Sequence, residues 1–87
     1  MSEETVRCWL VERDFWDEDL VTLVYATPDG KRYYQRQLAG DLLVSIDVTA
    51  ARNVPATDLE PTPEADRDRY ATEARRMMES HDPDDVI

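Results

Sequence analysis

Apolar and polar residues alternate over much of the first half of this chain and recur at helical spacing near its end. In residues 5–13, Val6, Cys8 and Leu10 share one parity, and Arg7, Trp9, Val11 and Arg13 share the other. Alternation of this kind predicts a strand, and apolar residues on both parities predict partial cover on both faces. Residues 14–19 are polar apart from Phe15 and Trp16 and read as a loop. Residues 20–27 are the most apolar stretch, with Leu20, Val21, Leu23, Val24 and Tyr25, and predict a central strand. Thr27-Pro28-Asp29-Gly30 then predicts a tight turn. Proline presets φ, aspartate bonds nearby backbone, and glycine takes the left-handed position. Residues 31–38 return as a third strand, with Lys31, Tyr33, Gln35 and Gln37 on one side and Arg32, Tyr34, Arg36 and Leu38 on the other.

The middle of the chain is less regular. Residues 42–46 are apolar and fit either a fourth strand or the start of a helix. Asp47 is placed to cap a short helix through Val48, Ala50 and Ala51, with Asn53 as its left-handed stop. Residues 55–63 hold three prolines and read as a connector without regular structure. The last element is a helix. Thr62 is its expected N-cap, Pro63 its first residue, and Tyr70, Ala71, Ala74, Met77 and Met78 its apolar stripe. The expected fold is α+β: a small antiparallel sheet of three to four strands with a C-terminal α-helix packed across one face. Residues 1–87 read as a single domain, with 1–4 and 82–87 as flexible tails. A chain of this length buries roughly 60–65% of its unfolded surface, enough for one modest core.

Charge changes the picture. Twenty acidic residues stand against ten basic ones, a net charge of −10, and nine of the ten basic residues are arginine. Such repulsion strains a small fold in dilute buffer. At about 1 M salt the screening length falls to about 3 Å, and the strain is largely relieved. Acid excess with scarce lysine therefore predicts a halophilic protein with loosely associated monovalent cations. The net sign disfavours binding to nucleic acid. The charge is also uneven: −6 over residues 1–30, +3 over 31–40, −3 over 41–61 and −4 over 62–87.

Candidate chemistry is sparse. Cys8 lies in an apolar strand, and the sole histidine, His81, is far along the chain, so neither a cysteine nucleophile nor a zinc set is predicted. The acidic clusters around Asp17 and Asp84 lack the spacing of a calcium loop. No catalytic residue, metal site or cofactor is expected. No apolar run approaches the roughly 20 residues of a membrane span, and Met1-Ser2-Glu3-Glu4 does not open a signal peptide, which points to the cytoplasm. The candidate binding residues are Lys31, Arg32, Tyr33, Tyr34 and Arg36, with Trp16 as a second anchor. Arginine and tyrosine suit interface centres and also stack on single-stranded bases. The same residues suit an ordinary edge strand defended by charge. The expected function is a non-enzymatic protein-interaction module with a protein partner or a second copy of itself. The alternative is a small nucleic-acid- or ribosome-associated factor.

Three segments carry a resemblance: Tyr25-Ala26-Thr27-Pro28-Asp29-Gly30, Arg69-Tyr70-Ala71-Thr72-Glu73-Ala74 and His81-Asp82-Pro83-Asp84-Asp85. Together they resemble short uncharacterised proteins of halophilic archaea. The resemblance implies a high-salt cytoplasm and carries no activity or functional residue with it.

Overall fold

The computed structural model describes residues 4–17, 20–39 and 48–87. Five strands form one antiparallel sheet: β1 (Thr5–Asp17), β2 (Leu20–Ala26), β3 (Arg32–Ala39), β4 (Ala51–Pro55) and β5 (Glu60–Pro61). One helix follows, α1 (Glu64–Ser80). The spatial order is β4-β1-β2-β3-β5, so the most apolar strand is central, as expected. The class is α+β, with five strands in place of the three to four expected.

Each difference from the sequence reading has a physical cause. The charged stretch read as a loop from residue 14 continues as strand to Asp17, because Asp14, Phe15 and Asp17 pair with Thr22, Val21 and Leu20. A strongly apolar partner strand holds residues that local preference would leave in a loop. The short helix expected over 48–51 is absent. Ala51–Pro55 is a strand paired antiparallel with Thr5 to Trp9, and Asn53 has no left-handed backbone. The proline-rich connector contains a single 3₁₀ turn, Ala56–Asp58, and the two residues of β5. Residues 42–46, ambiguous in sequence, lie outside the described residues.

Thr62 is not an N-cap. Its N–H donates to the Lys31 carbonyl at 2.9 Å, extending the edge of the sheet, and the helix starts only at Glu64. The residue before it, Pro63, offers no side-chain cap, and the Thr62 hydroxyl is buried without a partner among the described residues. Asp66 N–H bonds back to the Pro63 carbonyl at 2.9 Å.

The sheet has two faces of different character. On the outer face α1 lays Tyr70 against Val24 and Ala26, and Ala74 against Trp9, Ala50 and Ala51. A register shift between Leu10 and Glu12 makes Val11 an extra residue. The strict parity read from sequence therefore breaks there, and Glu12 turns to the helix side. Glu12 Oε1 receives Arg69 Nη1 at 2.7 Å. The β2–β3 turn closes as expected, with Gly30 at φ 72° and its N–H bonded to the Thr27 carbonyl at 2.8 Å. Gly30 is buried directly beneath α1. A Cβ there would collide with the Arg67 carbonyl oxygen and come within 2.8 Å of the Ala71 nitrogen.

The other face is concave. Glu60, Tyr33, Ala26, Trp9 and Ala51 form one row across the sheet, and Pro55 lies four residues further along β4. In a flat sheet Pro55 and Glu60 would stand roughly 23 Å apart, from spacings of about 4.8 Å between strands and 3.4 Å along them. The turn and two extended steps that join them span only roughly 13 Å. The sheet therefore curls, drawing its two edges towards each other. Val6, Cys8, Leu10, Val21, Leu23, Tyr25, Leu38 and Val54 pack inside this curl, with Tyr34 and Leu59 at its rim. Residues 82–87, read as a tail, bond back to 48–51: Ala50 N–H to the Asp85 carbonyl, Ala51 N–H to Pro83 and Ile87 N–H to Val48.

Candidate binding face

The candidate residues divide between the two faces of β3. Tyr33 belongs to the outer face, where its ring lies 6.3 Å from that of Tyr70 at 59°. Its hydroxyl donates to Glu60 Oε2 at 3.0 Å, and that carboxylate raises the phenol's pKa. Lys31 stands just before the strand. Its backbone is engaged at both ends, N–H to Asp29 Oδ1 at 2.9 Å and carbonyl to Thr62, while its side chain is exposed. The backbone of Trp16 lies in β1, and its side chain is outside what is described.

Arg32, Tyr34 and Arg36 share the inner face. Tyr34 lies against Tyr25, centroids 6.4 Å apart, and the guanidinium of Arg52 sits 5.6 Å from the Tyr34 ring centre. Arg52 comes from β4, opposite Cys8, and belongs to the same parity as the buried Val54. The sequence reading placed Arg52 in a helix and so missed it. The Arg52/Val54 alternation ahead of Pro55 was the one available signal. Among the described residues, Arg32, Arg36 and Arg52 have no carboxylate within salt-bridge distance. The uncompensated charge reaches inward. Burial pushes the Tyr25 phenol up, and Arg52 and Arg36 oppose that rise. Burial likewise pushes the Cys8 thiol up to about 11, against the pull of Arg32. Cys8 thus stays a protonated thiol at neutral pH, weakly donating to the Val6 carbonyl at 3.6 Å.

The edge of β3 adds a second feature. Thr27 N–H donates to the Arg32 carbonyl at 3.0 Å, so Arg32 bonds towards β2. Antiparallel alternation then directs the N–H and C=O groups of Tyr33, Gln35 and Gln37 to the outer edge. Strand β5 and the Thr62 N–H after it cover that edge from Lys31 to Tyr33. Beyond it, among the described residues, no strand flanks Gln35 and Gln37. They line an open groove of about 810 Å³ with Tyr33, Tyr34, Thr57, Asp58 and Glu60. This groove is the seam of the curled sheet, between its β3 edge and the turn leading out of β4.

Among the described residues no group of three or more His, Cys, Asp or Glu side chains is arranged to hold a metal ion, and no helix is long and apolar enough to cross a membrane. Fold and face together define a small α+β protein with a curled, open-edged sheet and an arginine-tyrosine inner rim. The chain matches the profile of DUF7967, a family of unknown function, over residues 2–87, and it belongs to that family. No curated protein and no solved structure matches it.

Proposed function

We propose that this protein is a non-enzymatic interaction module of a high-salt cytoplasm, and that it binds a partner protein through the inner rim formed by Arg32, Tyr34, Arg36 and Arg52. One observation carries the reading: Arg32, Arg36 and Arg52 gather on one face with no carboxylate within salt-bridge distance among the described residues, in a chain with net charge −10. Arginine and tyrosine are also enriched at the centres of protein interfaces. The acid excess with a single lysine supports the high-salt setting.

Affinity purification of the intact chain from its native extract, at native salt, tests the interaction. The expected result is a protein partner retained by wild type and lost by the Arg32→Glu/Arg36→Glu variant. Equal retention by both, or RNA as the retained species, overturns the reading. The setting has its own test: the melting temperature is expected to rise with potassium chloride into the molar range, as screening relieves self-repulsion. A flat or falling dependence contradicts it.

A further inference from the structure

The geometry points to a mode of recognition: an extended acidic segment of the partner protein adds to the sheet as a further strand, along the outer edge of β3 at Gln35 and Gln37. This inference rests on the interaction reading above and specifies how the partner is held. The outward N–H and C=O groups of Gln35 and Gln37 face the seam groove, and β5 stops short of them. An extended segment laid there would satisfy those groups with main-chain hydrogen bonds, as in other cases of strand addition. Between the two glutamines, Arg36 points to the inner face, on the same side as Tyr34 and Arg52. The residue opposite Arg36 in an added strand lies on that side too. Opposite charges favour each other directly across a strand pair, so that position calls for a carboxylate. Its neighbours face the helix side beside the amides of Gln35 and Gln37 and call for small polar residues. Asp58 and Glu60 close the β5 end of the groove and disfavour a further carboxylate there. Main-chain bonding also suits a salty solvent. At about 1 M salt the screening length of about 3 Å leaves only a contact pair, such as a carboxylate set directly against Arg36, while backbone hydrogen bonds persist.

The probe is a blocked synthetic peptide of alternating glutamate and threonine, compared with its lysine-threonine counterpart, titrated into the isotopically labelled full chain in molar potassium chloride. The expected result is slowed amide exchange at Gln35 and Gln37 with the glutamate peptide only. Gln37→Pro removes one outward donor and leaves the β2 ladder intact, a substitution that edge positions tolerate. It is expected to weaken peptide binding about tenfold, the effect of one lost main-chain hydrogen bond. Exchange on the wild-type chain needs no variant, so a misfolded Gln37→Pro protein leaves the test standing. No protection at either amide, or equal protection by both peptides, overturns the proposal. Loss of the native partner on Arg32→Glu/Arg36→Glu but not on Gln37→Pro would keep the interaction reading and remove strand addition. Retention on both would remove the interaction reading itself. Self-association abolished by Gln37→Pro would make the occupant a second copy and overturn the acidic-partner assignment.

Discussion

Arg69, on the helix side of this sheet, and the three arginines of the inner rim are held in opposite ways. On the outer face Arg69 bridges Glu12 and Asp66 at 2.7 and 3.1 Å, its guanidinium lies 4.9 Å from the Tyr70 ring centre, and that ring is buried against β2. On the inner rim Arg32, Arg36 and Arg52 have no such carboxylates among the described residues. Around Arg69 and Tyr70 the outer face reads as a completed packing interface, with charge and ring each assigned a partner. The inner rim reads as an interface lacking one side. Perturbing the outer face should therefore change stability, while perturbing the inner rim should change association.

The largest effect is expected where the helix meets the β2–β3 turn. Gly30→Ala places a side chain at φ 72° and against the backbone of α1. The left-handed conformation costs about 1–2 kcal/mol, and overpacking adds about 1–3 kcal/mol. A loss of about 3 kcal/mol is expected by urea denaturation, a large fraction of the stability of so small a domain. An undiminished midpoint would show that α1 can lift from the turn at little cost.

That contact also shows how far the sequence could be read. The turn was legible because Pro28, Asp29 and Gly30 each have a strong local preference, and the helix because its apolar residues repeat every three to four positions. The contact between them was not, since nothing local to Gly30 encodes the approach of Arg67 and Ala71. Strand β4 was hidden for a related reason. Ala51, Arg52 and Asn53 have little strand preference, and β1 supplies the pairing that makes them one. The candidate face was half legible. The charge reversal over residues 31–40 singled out β3, but its division into two faces depends on pairing with β2. The arrival of Arg52 from the far edge depends on the curl.

A charge-reversal pair sharpens the contrast between faces. Arg69→Glu sets like charges beside Glu12 and Asp66. Because Arg69 is half exposed, the lost pairs are worth only about 0.5–1 kcal/mol at low salt. Arg36→Glu breaks no ion pair among the described residues, and its stability is expected to stay within about 0.5 kcal/mol of wild type. Thermal melts of both variants at low and molar salt check this. The Arg69→Glu deficit should shrink as salt rises, while Arg36→Glu should lose partner binding with its fold intact. A larger destabilisation from Arg36→Glu would mean that the inner rim is structural.

The smallest effect expected belongs to Asp29, at the tip of the same turn. Its carboxylate accepts the Thr27 hydroxyl at 2.6 Å and the Lys31 N–H at 2.9 Å. The Thr27 hydrogen bond, then that of Lys31, lower its pKa below the ordinary value of 3.8, against a small opposing effect of burial. A carboxyl with a depressed folded-state pKa binds protons more readily when unfolded, so acid favours unfolding. Its contribution is complete above the unfolded value and disappears as pH falls through the lower folded one. Wild type should therefore exceed Asp29→Asn in stability at neutral pH, with the gap closing in acid below about pH 4. Denaturation of both proteins across that range, with salt held constant, measures the gap. A gap that persists at the acid end would assign the difference to hydrogen-bond geometry in the turn, not to the carboxylate's charge.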